Sequence, residues 1–200
     1  MAVITISRLL GSGGTTIARL IADELGFRLL DRNLVDAVAE RAGVTSAVAH
    51  SLDEQDFGWA SGLIYSLLLS FRGQTFTQES YRLLVGRLIR ETAQRENVVI
   101  LGRAGQVVLG FRPGTFHAHV VAPIVDRVTR LSERDGIAAD EARRRVIETD
   151  EARRRFIYAF AQRDWSDPTI YDLIVNTQRL KPELSAKLIV DAARRAGVVR

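Results

Sequence analysis

At 200 residues and 46% hydrophobic content the chain suits one compact α/β domain with an inserted segment, large enough to bury a sizeable core. The absence of cysteine excludes disulfides, thiolate catalysis and cysteine metal sites, and neither a membrane-length apolar run nor a signal-like start is present, so a cytoplasmic protein is expected. A net charge of +4 fits nucleic-acid binding, but the basic residues alternate with acids, as in Glu133-Arg134-Asp135 and Glu141-Ala-Arg-Arg-Arg145, which is the pattern of a solvated face; nucleic acid is not the expected partner.

In chain order, the β-branched run Val3 to Ile6 predicts a buried strand and Thr15 to Leu25 a helix, ended by Gly26 where a C-terminal cap belongs. Between them lies Arg8-Leu-Leu-Gly11-Ser12-Gly13-Gly14-Thr15-Thr16, with glycines where backbone comes close to something and two threonines placed to cap the helix. Helix-start amides favour an anion there. Laid on the G-x-x-x-x-G-K-[ST] phosphate loop, the first glycine falls on Arg8, the second on Gly13, the lysine on Gly14 and the hydroxyl on Thr15 or Thr16. The alternative is a Gly-rich turn packed tightly for steric reasons alone. The only lysines are Lys181 and Lys187, so a cation serving this loop is expected to be arginine, with Arg8 favoured over Arg19.

Further strands are predicted at Arg28 to Leu30, Val98 to Leu101, Phe116 to Val121 and Leu173 to Val175. Helices are predicted at Asn33 to Ala42, Glu79 to Arg95, Ile124 to Arg134, Asp140 to Gln162 and Pro182 to Ala196. This alternation calls for a parallel sheet with crossover helices. Residues 43–76 read as a helical insert with a broad apolar face, and the stretch Leu63 to Leu69 is a candidate homodimer surface. Asp31-Arg32 and Gly102-Arg103 follow predicted strands, where open α/β sheets bind ligands. Asp150 and Arg153 share a helix face, either to hold a ribose hydroxyl and a phosphate or as an exposed ion pair. His117 and His119 share a strand face without a third metal ligand, and a pair of half-buried strand histidines is the favoured reading. The aromatics Phe156, Tyr158, Phe160 and Trp165 suit either a base-stacking pocket or, preferably, lid-to-body packing.

These segments resemble the cytidylate kinase-like family of nucleoside monophosphate kinases. The resemblance rests on the loop Ile6 to Gly14, Leu30-Asp31-Arg32, Val98 to Arg103, Val120-Val-Ala-Pro123, Asp150 with Arg153, and Asp164 to Thr177. It implies a P-loop NTPase-type five-stranded parallel sheet flanked by helices, with core 1–31, 96–134 and 166–200, a helical NMP-binding insert about 32–95 and an arginine-rich lid about 135–165. The resemblance makes Gly11, Ser12, Gly13, Gly14, Thr15 and Thr16 the donor-phosphate cradle, with Thr15 and Thr16 as Mg2+ ligands and ATP as co-substrate. Arg127 and Arg130 resemble donor-nucleotide contacts; an exposed face is their other reading. Asp31, Arg32, Arg103, Asp150 and Arg153 fall at acceptor positions, and Arg8, Arg103 and Arg153 are the candidate catalytic cations. Where the bacterial enzymes read Asp-Gly-Arg-Asp, this chain reads Leu101-Gly102-Arg103-Ala104, without both acids.

Two functions follow from different classes. One is transfer of the ATP γ-phosphate to a CMP- or dCMP-like nucleotide or similar small acceptor. The other, favoured by Gly14, Leu101 and Ala104, is a nucleotide-binding regulator or sensor without efficient chemistry.

Overall fold

A computed structural model describes residues 1–31, 33–51 and 77–199. Arg32 and residues 52–76, with the Leu63 to Leu69 stretch, lie outside the described residues. Five strands, β1 (Val3–Arg8), β2 (Arg28–Leu30), β3 (Val98–Leu101), β4 (Thr115–Val121) and β5 (Leu173–Asn176), form one sheet in the order β2-β3-β1-β4-β5, every neighbouring pair parallel. The described helices are α1 (Gly14–Leu25), α2 (Asn33–Ala42), α3 (Ser46–Ser51), α4 (Gln78–Arg95), α5 (Gly105–Leu109), α6 (Ile124–Asp135), α7 (Ala139–Ala161) and α8 (Pro182–Arg195). No described helix is long and apolar enough to cross a membrane.

A parallel sheet is covered on both faces, and β1, buried along its whole length, is placed at its centre. Because side chains alternate, Ile4 and Ile6 join Val99, Leu101, Ala118 and Val120 on the face that packs α1 and α8. Val3, Val98 and Ile100 face the other way, into a core shared by α2, α4, α5 and the second half of α7. The polar ending Ser7-Arg8 does not stop β1 at Ile6: Ser7 pairs with His119 and Arg8 with Val120, so β4 carries the strand two residues further than its apolar run.

On the α4 side a polar seam runs through the core. The ring of His117 lies between the Thr5 hydroxyl, 2.8 Å from Nδ1, and the Gly110 carbonyl, 2.9 Å from Nε2. A carbonyl only accepts, so Nε2 carries the proton and Thr5 donates to Nδ1. His119 stacks on Tyr171 at 4.7 Å and meets Trp165 edge-on at 5.5 Å. Trp165 Nε1 donates to Ser7 Oγ at 2.6 Å, and the Tyr171 hydroxyl donates to the Trp165 carbonyl at 2.9 Å. Both histidines are core groups, and among the described residues no cluster of three or more His, Asp or Glu is arranged to hold a metal. Phe156 and Trp165 pack in the same core, whereas Tyr158 is exposed.

Burial holds His119 at about 4, well below the ordinary imidazole value of 6.5. The neutral ring is favoured in the folded chain, so its contribution to stability is complete above about pH 6.5 and is lost as pH falls to about 4. Urea denaturation of the native chain across that window should show a loss on the order of 3 kcal/mol, and His119→Phe should flatten that part of the profile. An unchanged pH slope in the variant would remove His119 as its cause.

Candidate active site

The C-terminal ends of β1, β3 and β4 converge on the loop between β1 and α1. α1 does not open on a threonine cap: Gly13, left-handed at φ +82°, is its N-cap without a side-chain bond, and Thr15 and Thr16 lie exposed in the first turn. The first-turn amides are therefore left to the hollow of the loop rather than to a capping side chain. Ser12 folds back, its amide and hydroxyl both donating to the Leu9 carbonyl, at 3.2 and 2.8 Å.

Arg8 ends the Ile4–Ile6 row of β1 and therefore projects beneath the start of α1. A Cβ built at Gly14 would lie 2.4 Å from Arg8 Cβ and 3.0 Å from its Cγ. The exchange against the ordinary phosphate loop is thus double and sterically linked, because a side chain at position 14 and one at position 8 claim the same volume. Arg103 leaves the neighbouring strand in register with it: Ile6 pairs with Leu101, and the Gly102 amide donates to the Ile6 carbonyl at 2.9 Å. Gly102, Arg103 and Ala104 are all left-handed, at φ +74°, +53° and +57°. Two successive non-glycine residues in that region carry backbone strain, which fixes the exit of the Arg103 side chain.

Four arginines around this loop are buried: Arg8 is 4% exposed, Arg103 1%, Arg127 7% and Arg153 5%. Arg153 donates from Nη1 to the Arg8 carbonyl at 3.0 Å. Asp150, one turn earlier on α7, accepts the Leu10 amide on Oδ1 at 2.8 Å and Arg127 Nη1 on Oδ2 at 2.5 Å. Arg127 also donates to the Leu10 carbonyl at 3.2 Å and, through Nε, to Ala122 at 3.0 Å. The exposed ion-pair reading of Asp150 and the exposed-face reading of Arg127 both fail on this network. Arg130 is likewise engaged: it donates to Thr177 Oγ1 and to the Thr177 carbonyl at 3.1 and 2.7 Å, and Thr177 Oγ1 donates to the Ser12 carbonyl at 2.8 Å. Other arginines of α7 turn outward; Arg144 and Arg145 pair with Glu141, and Arg154 with Glu151. Asp31 is half-buried just past edge strand β2, and Arg19 is exposed on α1. Sequence reasoning did not single out Thr177 as a loop contact or Ser7, Trp165 and Tyr171 as the seam below it. The Trp165–Ser7 and Thr177–Ser12 bonds span more than a hundred residues; Trp165, Tyr171 and Thr177 were marked by their place in Asp164 to Thr177, Trp165 also among the packing aromatics, and Ser7 by its place in the loop Ile6 to Gly14.

This fold and loop are those of the P-loop class, a kinase-like nucleotide-binding architecture. The chain matches the cytidylate kinase-like family over residues 3–179 and belongs to it. It is 30% identical over 193 residues to a cytidylate kinase of Ignicoccus hospitalis, covering 94% of this chain and 97% of that one. It is 29% identical over 190 residues to a cytidylate kinase of Pyrococcus furiosus, covering 90% and 82%. Among solved structures it is similar to an uncharacterized protein from Eubacterium ventriosum, with TM-score 0.72, 19% identity and 96% and 97% coverage. It is also similar in fold to shikimate kinase from Acinetobacter baumannii, with TM-score 0.53, 14% identity and 98% and 94% coverage.

Gly11, at φ +78°, sits against α6 so closely that an added Cβ would lie 2.6 Å from the Arg127 carbonyl, whereas one at Gly13 would meet nothing within 4 Å. Gly11→Ala should therefore cost about 2 kcal/mol or more in thermal or urea denaturation, and Gly13→Ala only about 1 kcal/mol for its left-handed backbone. Equal costs would mean that the Arg127 contact is not tight.

Proposed function

We propose that the protein transfers the γ-phosphate of ATP to a nucleoside monophosphate of the CMP or dCMP type, with Arg8 serving as the donor-phosphate cation in place of the loop lysine. The observation that carries this reading is the Arg8–Gly14 exchange: the position that lost the lysine is the one where Arg8 fills the space. Gly11 to Thr16 form the donor cradle through their amides. Arg103 and Arg153 bring the remaining positive charge to the acceptor phosphate. Arg103 is joined on the acceptor side by Asp31, just past β2, and the family resemblance gives Arg32 the same role. Arg127 and Arg130 act on the donor side by shaping the loop and the Thr177 turn.

Phosphoryl transfer needs alignment and fixed positive charge more than covalent help. An arginine on a buried strand supplies that charge with little side-chain freedom left to lose, and its planar fork suits phosphate oxygens. For Mg2+ the residues fit an ion carried in on the nucleotide: the described chain offers the exposed hydroxyls of Thr15 and Thr16 and no carboxylate cluster. Thr15 and Thr16 would hold such an ion, which would supply charge neutralisation at the donor phosphates.

A second reading, nucleotide binding without efficient transfer, is favoured by the apolar Leu101 and Ala104, both buried, where acids stand in the bacterial enzymes. A coupled assay of ATP with CMP, dCMP, UMP, AMP and GMP separates the two. Turnover on CMP or dCMP supports the kinase, and no turnover on any acceptor, with ATP binding retained, supports the sensor.

Arg8→Ala should lower transfer by roughly a hundredfold or more at similar fold stability. Gly14→Lys alone should destabilise the fold, because the Arg8 Cβ that it meets belongs to the strand and cannot swing away. The double variant Arg8→Gly with Gly14→Lys should regain stability and part of the activity. A double variant no better than Gly14→Lys would break the proposed exchange.

A further inference from the structure

The D-x-x-R pair on α7 falls at acceptor positions by resemblance, yet its observed contacts are with the main chain of the donor loop. Asp150 has one oxygen on the Leu10 amide and the other on Arg127, and Arg127 returns to the Leu10 carbonyl, so a single ion pair grips both poles of one residue's backbone. The pair is largely buried, with side-chain exposures of 17% for Asp150 and 9% for Arg127. Arg127 is itself held by the Ala122 carbonyl at the end of β4. Three residues along α7, Arg153 takes the Arg8 carbonyl, so the helix holds the chain on both sides of Leu9. The loop's next residue, Gly11, rests directly on the Arg127 backbone.

We propose that Asp150, backed by Arg127, is a positioning residue of the donor-phosphate loop, fixing the main chain at Leu10 from the lid helix, and is not a ligand of the acceptor ribose. The proposal rests on the reading of Gly11 to Thr16 as the donor cradle. A charge-assisted bond to a backbone amide at the loop's entry sets where the following amides point. Loss of the carboxylate leaves both the Leu10 amide and the Arg127 guanidinium without it in a buried place, so the loop shifts to satisfy them. The donor then pays the cost of re-ordering the loop on binding. An acceptor seated across the site does not.

The test uses the full chain with Asp150→Ala, Asp150→Asn and Arg127→Met, measured by calorimetry with ATP, CMP and dCMP and by amide hydrogen exchange across residues 8–16. In Asp150→Ala the loop amides should exchange faster, the ATP dissociation constant should rise by roughly tenfold or more, and the CMP constant should move by less than about twofold. Asp150→Asn keeps an oxygen for the Leu10 amide and should recover most of the ATP affinity, while Arg127→Met should resemble Asp150→Ala. The double variant should be no worse than either single one.

Weakened CMP binding with ATP binding intact, together with loss of discrimination between CMP and dCMP, would overturn the proposal in favour of a ribose ligand. Unchanged loop exchange would overturn the clamp directly. A native chain that binds CMP but no ATP would overturn the donor-cradle reading itself, a result distinct from either, because the exchange measurement needs no nucleotide.

Discussion

Only one Cβ fits between the end of β1 and the first turn of α1, and in this protein it belongs to Arg8. That steric limit links features that look unrelated along the chain. It explains why a glycine stands where a lysine is usual, and why the strand that ends there must run two residues past its apolar stretch. Arg8 reaches its place only if β1 remains paired with β4 as far as Val120. A cation displaced from helix to strand changes its character as well as its position. A helix-borne lysine is a flexible point charge, whereas a strand-borne arginine is a planar donor already held by the sheet.

The other half of the site is built around peptide groups. Arg153 takes the carbonyl of Arg8, Asp150 the amide of Leu10, Arg127 the carbonyl of Leu10 and Thr177 the carbonyl of Ser12. Buried loop backbone must find hydrogen-bond partners, and here α6, α7 and the turn after β5 supply them. Arg130 secures that turn, so two residues one helical turn apart on α6 act on opposite sides of the same loop. Beneath the loop, Trp165 and Tyr171 tie the segment that follows α7 to Ser7, joining that side of the fold to the central strand a second time.

Much of this architecture was legible in the order of residues. Strands buried on both faces write themselves as short β-branched runs, and the helices between them carry a clear apolar period, so the parallel sheet followed. The glycine-rich turn between β1 and α1 was legible in outline, and its glycines at 11 and 14 do stand where backbone packs closely. The local geometry was less so. Thr15 and Thr16 resemble caps, but Gly13 in a left-handed conformation starts the helix before them. The turn at Arg103 and Ala104 was hidden because neither residue is the glycine that left-handed backbone normally announces, and α5, five residues long, gives too little period to detect. Asp150 was found by its spacing from Arg153, yet its partner is a backbone amide 140 residues earlier in the chain, which no spacing rule reveals.

Holding a loop by its peptide groups has a consequence for how such a site drifts over evolutionary time. Amides and carbonyls are the same whichever side chain they carry, so the grip on Arg8, Leu10 and Ser12 places little demand on the letters at positions 9 and 10 beyond apolar bulk. The geometry can persist while the written motif erodes. The constraint is transferred to distant residues such as Asp150, Arg127, Arg153 and Thr177.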